Sequence, residues 1–176
     1  MPDGGFQTEG PIALVGLMGA GKSAVGSLLA NRLDRVFVDT DVEVEHLSKM
    51  PIAEIFQRFG ERGFREREQK VAEGLDFSRP LVIATGGGLF VNDSVRKRLL
   101  ENCITIWLDV PVPLLVSRLS AKTDRPLLGS DPLRSLEKLA DQRRSAYAQA
   151  HLRIEGALPP EEVVDRLLIA LNGPRP

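Results

Sequence analysis

The stretch GLMGAGKS, Gly16 to Ser23, limits what this chain can fold into more than any other. It fits G-x-x-x-x-G-K-[ST]. Before it stands PIALV, apolar enough for a buried strand; after it SAVGSLLANRL carries Val25, Leu28, Leu29 and Leu33 at helical spacing. A strand that turns through glycines into a helix aims successive backbone N–H groups at one point, and the helix adds the positive end of its dipole. Such a nest binds phosphate. Gly19, Ala20, Gly21, Lys22, Ser23 and Ala24 are therefore candidate nucleotide-binding residues, with Lys22 reaching the outer phosphates as a catalytic cation and Ser23 offering a hydroxyl to magnesium. The loop implies ATP or a similar triphosphate, and leaves open whether its energy goes to hydrolysis, switching or transfer.

The rest of the chain alternates in the same way. VFVD, PLVIA, CITIWLDV and LRIE read as strands, and helical periodicity fills the stretches between them. Between Asp41 and Phe77, Pro51, Gly60 and Gly63 are expected to divide the helical sequence into several pieces. The pattern predicts an α/β fold with a mostly parallel sheet flanked by helices. Ligands in such sheets bind beyond the carboxyl ends of the strands, where GLMGAGKS, VDTD and TGGG all fall. With 176 residues there is little room for a regulatory insertion, which favours one small kinase domain over 11–171, preceded by a disordered tail over 1–10.

VFVDTD ends an apolar run in two carboxylates one residue apart. If both lie on a strand, Asp39 and Asp41 share a face and repel each other. Magnesium on a triphosphate offsets that repulsion: Asp39 would hold the ion with Ser23, and Asp41 would accept the proton of an attacking hydroxyl. The alternative is a solvated Asp39 with Asp41 capping the helix that follows.

GLMGAGKS, DTD, FRERE, TGGG, RPLL and R-x-x-x-Y occur in the order and approximate spacing of shikimate kinases, which the chain resembles from about Ile12 to Leu168. The resemblance implies a P-loop kinase fold with a helical acceptor-binding region, here about 41–70, and a mobile lid, here about 120–134. It implies phosphorylation of the 3-hydroxyl of shikimate by ATP with Mg2+, on the route to aromatic amino acids. Arg65 and Arg143 then stand as the cations for the shikimate carboxylate, since a guanidinium can grip a carboxylate with two parallel bonds. Both could instead be helix-surface ion pairs. The resemblance sets the Gly87 amide of TGGG against the acceptor, with Gly88 beside it. It sets Arg118 on the adenine, where the other reading is a helix-end charge, and it matches Pro160 only loosely to the adenine loop, with Leu158 where a basic residue is expected. Arg125 in KTDRPLLG is the lid residue expected to reach over the phosphates and complete the catalytic set with Lys22 and Asp41.

Composition narrows the rivals. A net charge of −1 and 5% aromatic residues give no support to a nucleic-acid-binding ATPase. No apolar run approaches the roughly 18 residues of a membrane span, and the acidic, glycine-rich start does not read as a leader. A cytoplasmic monomer acting on small molecules, with no nucleic-acid or membrane partner, is the expectation. The lone Cys103 reads as a buried structural thiol, and His46 and His151 as surface residues. A gluconate kinase or nucleoside monophosphate kinase, or a nucleotide-binding module without catalysis, are the alternatives. The first two would not need Arg65 beside the aspartates.

Overall fold

A computed structural model describes residues 10–120 and 131–173. Five parallel strands form its centre: β1 (Ile12–Val15), β2 (Val36–Asp39), β3 (Leu81–Ala84), β4 (Ile104–Asp109) and β5 (Leu152–Glu155), in the order β2-β3-β1-β4-β5. The register pairs Ile12 with Val82 on one side and with Ile104 on the other. β1 and β3 are buried at every position, because helices cover both faces of a parallel sheet. This is why IALV and LVIA are unbroken apolar runs rather than alternating ones. The two edge strands are partly exposed.

Helices α1 (Lys22–Arg32), α2 (Thr40–Ser48), α3 (Ile52–Glu73), α4 (Asp93–Asn102), α5 (Val112–Ser120), α6 (Pro132–Tyr147) and α7 (Pro160–Asn172) fill the connections. The main core gathers the inner strands with Leu29, Phe90, Leu99, Leu115, Leu136, Tyr147 and Leu167. A second, smaller core of Val44, Ile55 and Phe64, with Met50, Phe56 and Val71 against it, holds α2 to α3. The expected acceptor-binding region thus has its own packing.

Two expectations change. Asp41 is not on a strand: β2 stops at Asp39 and α2 begins at once, so Asp41 sits in the first helical turn. Asp39 is the cap, its Oδ1 accepting from the Asp41 N–H at 3.0 Å. Gly60, at φ 64° and ψ −172°, breaks α3, whereas Gly63 continues it. Residues 1–9 of the expected tail and most of the expected lid, including Arg125, lie outside the described residues.

Candidate active site

The loop after β1 has the backbone its sequence demands. Gly16, Gly19 and Gly21 take φ of 143°, 79° and 91°, a region side chains disfavour, and α1 starts at Lys22 directly after the left-handed Gly21. Lys22 is buried, its Nζ donating to the carbonyls of Gly16 at 2.8 Å and Leu17 at 2.7 Å, so the ammonium lies inside the loop it serves. Arg118 comes up from the end of α5 and donates to the carbonyls of Gly19 (3.3 Å), Ala20 (3.4 Å) and Gly156 (3.2 Å). It therefore joins the phosphate loop to the segment leading into α7. Lys22, Arg118 and Gly156, with Gly19 to Gly21, Ser23, Ala24, Leu158 and Pro160, line a hollow of about 380 Å³.

On the side of the expected acceptor region lies a larger cleft of about 810 Å³. Phe56 and Phe64, rings 4.7 Å apart, form an apolar wall, and the Arg65 guanidinium lies 5.4 Å from the Phe64 ring. Arg143 enters from α6 and is buried, so it is no helix-surface ion pair. Arg65 is half-buried and does pair with acids of its own helix, Glu61 at 3.3 Å and Glu68 at 2.5 Å, while still lining the cleft.

Met18, Ser23, Asp39, Asp41 and Gly87 line both hollows. A group held by the loop and a group held by the cleft would meet at this junction. Ser23 Oγ donates to Asp39 Oδ2 there. A hydroxyl and a carboxylate so placed are hard oxygen donors suited to magnesium, which commonly takes one or two protein ligands and fills its shell with water and phosphate oxygens. That suits a chain in which, among the described residues, no group of three His, Cys, Asp or Glu comes together. A third hollow, of about 470 Å³ beside Trp107 and Arg153, touches only Ala20 of the expected site residues.

Some residues of the site were not visible in the sequence. Thr40, between the two aspartates, is fully buried and accepts from the Gly86 N–H at 2.8 Å, tying the end of β2 to TGGG. Glu68 is buried beneath the cleft. Burial pushes its carboxyl above the usual range, the Arg65 guanidinium only partly opposing the rise and Asp41 adding to it. The glycines are spatial requirements: a Cβ at Gly86 would lie 2.6 Å from Glu68 Oε1 and 2.7 Å from Asp41 Oδ1, and one at Gly88 would lie 2.6 Å from Arg65 Cζ. The only earlier signals were the unusual cost of three consecutive glycines and the acids spaced through FRERE. Cys103 is buried as expected, its thiol pushed up to about 12 by burial. His151 Nδ1 accepts from the Thr105 N–H at 3.1 Å.

Known proteins are similar to this chain over most of its length. A family model described as shikimate kinase matches residues 18–172. The shikimate kinase of Zymomonas mobilis is 43% identical over 162 residues, 91% of this chain and 92% of that one. That of Caulobacter vibrioides is 46% identical over 163 residues, covering 92% and 82%. A solved shikimate kinase from Acinetobacter baumannii, in complex with shikimate, superposes with a TM-score of 0.88 at 38% identity over 93% of both chains. Nearly the whole chain, from the phosphate loop through the last helix, is covered by these matches, and it belongs to the shikimate kinase family.

Proposed function

We propose that the chain moves the terminal phosphoryl group of ATP in line onto the 3-hydroxyl of shikimate, at the junction of its two clefts. Family membership makes it an ATP-using kinase that phosphorylates shikimate; the roles of individual residues, the metal and the monomeric state are the proposal. The observation that carries them is that Ser23, Asp39, Asp41 and Gly87 line the nucleotide hollow and the acceptor cleft together.

Gly19 to Ala24 hold the phosphates through the loop, and Lys22 turns from the Gly16 and Leu17 carbonyls toward the outer phosphate oxygens. Arg118 and Pro160 border the adenine. Ser23 and Asp39 would hold Mg2+, which when bound neutralises phosphate charge. Arg65 and Arg143 grip the shikimate carboxylate, while Gly87 and Gly88 bring backbone against the ring. Asp41 accepts the proton of the 3-hydroxyl as its oxygen bonds to phosphorus; the bond from phosphorus to the bridging oxygen of ADP breaks, and ADP leaves. Arg125 closes over the phosphates and excludes water, which would otherwise compete as acceptor. Shikimate 3-phosphate and ADP are the products. Among the described residues no helix is long and apolar enough to cross a membrane; action as a cytoplasmic monomer on small dissolved substrates is part of the proposal.

The test is ADP release from ATP and Mg2+ with shikimate, gluconate or AMP, on wild type and Asp41→Asn. Turnover is expected with shikimate alone, and a fall of about 10²–10⁴ in kcat in the variant with ATP binding retained. Turnover with gluconate or AMP instead would discard the acceptor assignment. An unchanged kcat in Asp41→Asn would remove Asp41 from proton transfer.

A further inference from the structure

Tyr147 has no role in the reaction as described, yet it is one of the most deeply buried side chains, 2% exposed at the end of α6. Its hydroxyl donates to the carbonyl of Gly87, and the Arg143 guanidinium, one helical turn earlier on the same face, is near enough that its charge opposes the effect of burial on the phenol. The phenol therefore stands between two elements assigned to the acceptor from different parts of the chain: the glycine loop after β3, to which it is bonded, and the guanidinium of α6 beside it. Its ring lies 5.9 Å from that of Trp107, which anchors it from behind.

We propose that Tyr147 is a positioning residue for the acceptor, its hydroxyl setting the Gly87–Gly88 peptide and the Arg143 guanidinium in one fixed relation. This rests on the assignment of Gly87, Gly88 and Arg143 to shikimate. The physical need comes from the sequence Gly86-Gly87-Gly88, which without a tether has more backbone freedom than any other residues would. In a trans peptide the C=O and the following N–H point oppositely, so fixing the Gly87 carbonyl toward Tyr147 also fixes the Gly88 N–H away from it. Gly87 is confined on its other sides: a Cβ there would lie 3.2 Å from the Met18 nitrogen and 3.5 Å from Arg143 Nη1. The peptide that faces the acceptor is thus held between the phosphate loop and the Tyr147–Arg143 pair. Burial raises the phenol's pKa, so the hydroxyl keeps its proton and remains a donor across the working pH range.

Packing on Trp107 alone would be satisfied by phenylalanine, which separates the two roles. In Tyr147→Phe the KM for shikimate is expected to rise about tenfold, with kcat and the KM for ATP within about twofold of wild type. An unchanged shikimate KM overturns the proposal, and so does an equal loss in all three parameters, which would mark Tyr147 as part of the fold only. Arg143→Lys serves as the reference. If it raises the shikimate KM and Tyr147→Phe does not, the tether fails while the acceptor site stands; if Arg143→Lys has no effect, the acceptor assignment fails and the tether with it. Because Tyr147 is the only tyrosine, wild-type protein grown on 3-fluorotyrosine carries a single fluorine signal and needs no variant to fold. That signal is expected to shift on adding shikimate; one that stays fixed at saturating shikimate overturns the proposal.

Discussion

The Ser23 hydroxyl donates to the Asp39 carboxylate, joining the first turn of α1 to the end of a strand that is separated from β1 by β3. The nucleotide loop and the acceptor region are thereby tied at one point, where both hollows open. If the pair holds magnesium, removing the Asp39 charge weakens metal binding more than nucleotide binding, since the loop amides and Lys22 remain. Asp39→Asn is expected to raise the Mg2+ concentration for half-maximal rate by about 10–100-fold. A magnesium titration at fixed ATP and saturating shikimate measures it, and an unshifted midpoint would mean that Asp39 only caps α2.

Gly88 is small because Arg65 lies across it. A Cβ there would come within 2.6 Å of Arg65 Cζ, and the guanidinium, at the end of a flexible side chain, would move before the backbone does. Gly88→Ala is therefore expected to fold with a melting temperature near wild type while raising the KM for shikimate about tenfold or more, through loss of the two-bond carboxylate grip. Steady-state kinetics with each substrate varied in turn, beside a thermal melt, gives the answer. A large drop in melting temperature with an unchanged shikimate KM would show that the backbone had yielded instead.

How much of this could be read from the sequence depended on whether the residues involved are neighbours in the chain. The phosphate loop was legible because its strand, glycines, Lys22 and Ser23 are contiguous and each has one physical use. The parallel sheet was legible for the same reason, its inner strands being unbroken apolar runs. Asp41 was misplaced because α2 begins with no loop after β2, and a strand's end and a helix's first turn look alike over so few residues. Glu68 was hidden among the charges of FRERE, where nothing along the chain distinguishes the one acid that is 2% exposed from Glu66, which is solvated. Arg143 and Arg144 pose the same problem: a helix turns about 100° per residue, so only the former faces the cleft. The contacts of Thr40 with Gly86 and of Tyr147 with Gly87 span 46 and 60 residues and exist only in the folded chain.

Glu68 holds Arg65 by a bond of 2.5 Å from one carboxylate oxygen, and its other oxygen, Oε1, is buried with no hydrogen-bond partner among the described residues. Glu68→Gln keeps the shape and removes the charge that orients the guanidinium. The shikimate KM is expected to rise about fivefold to tenfold, with the KM for ATP unchanged, since a hydrogen bond between charged groups weakens to one with a neutral amide. Kinetics at fixed pH tests this. A variant equal to wild type for shikimate would mean that Glu61 and the Phe64 ring suffice to place Arg65.

His151 gives the fold a pH response distant from the site. The Thr105 N–H donates to His151 Nδ1, and the His151 backbone N–H donates to Thr105 Oγ1 at 3.0 Å, so β4 and the start of β5 are joined partly through an imidazole that must lack a proton on Nδ1. Burial holds its pKa below the usual value of 6.5. As pH falls below that value, the unfolded chain takes up the proton first and the folded chain resists, so this contribution to stability is present above about pH 6.5 and is lost as pH falls through the window down to the folded value. In His151→Asn, whose side-chain oxygen can accept the same N–H, the term is absent. Urea unfolding at about pH 7.5 and about pH 5.5 should therefore show a larger drop in wild type than in the variant. Comparing the two proteins cancels the carboxylates that titrate in both, and equal drops would show that the histidine is free to protonate without disturbing the Thr105 contacts.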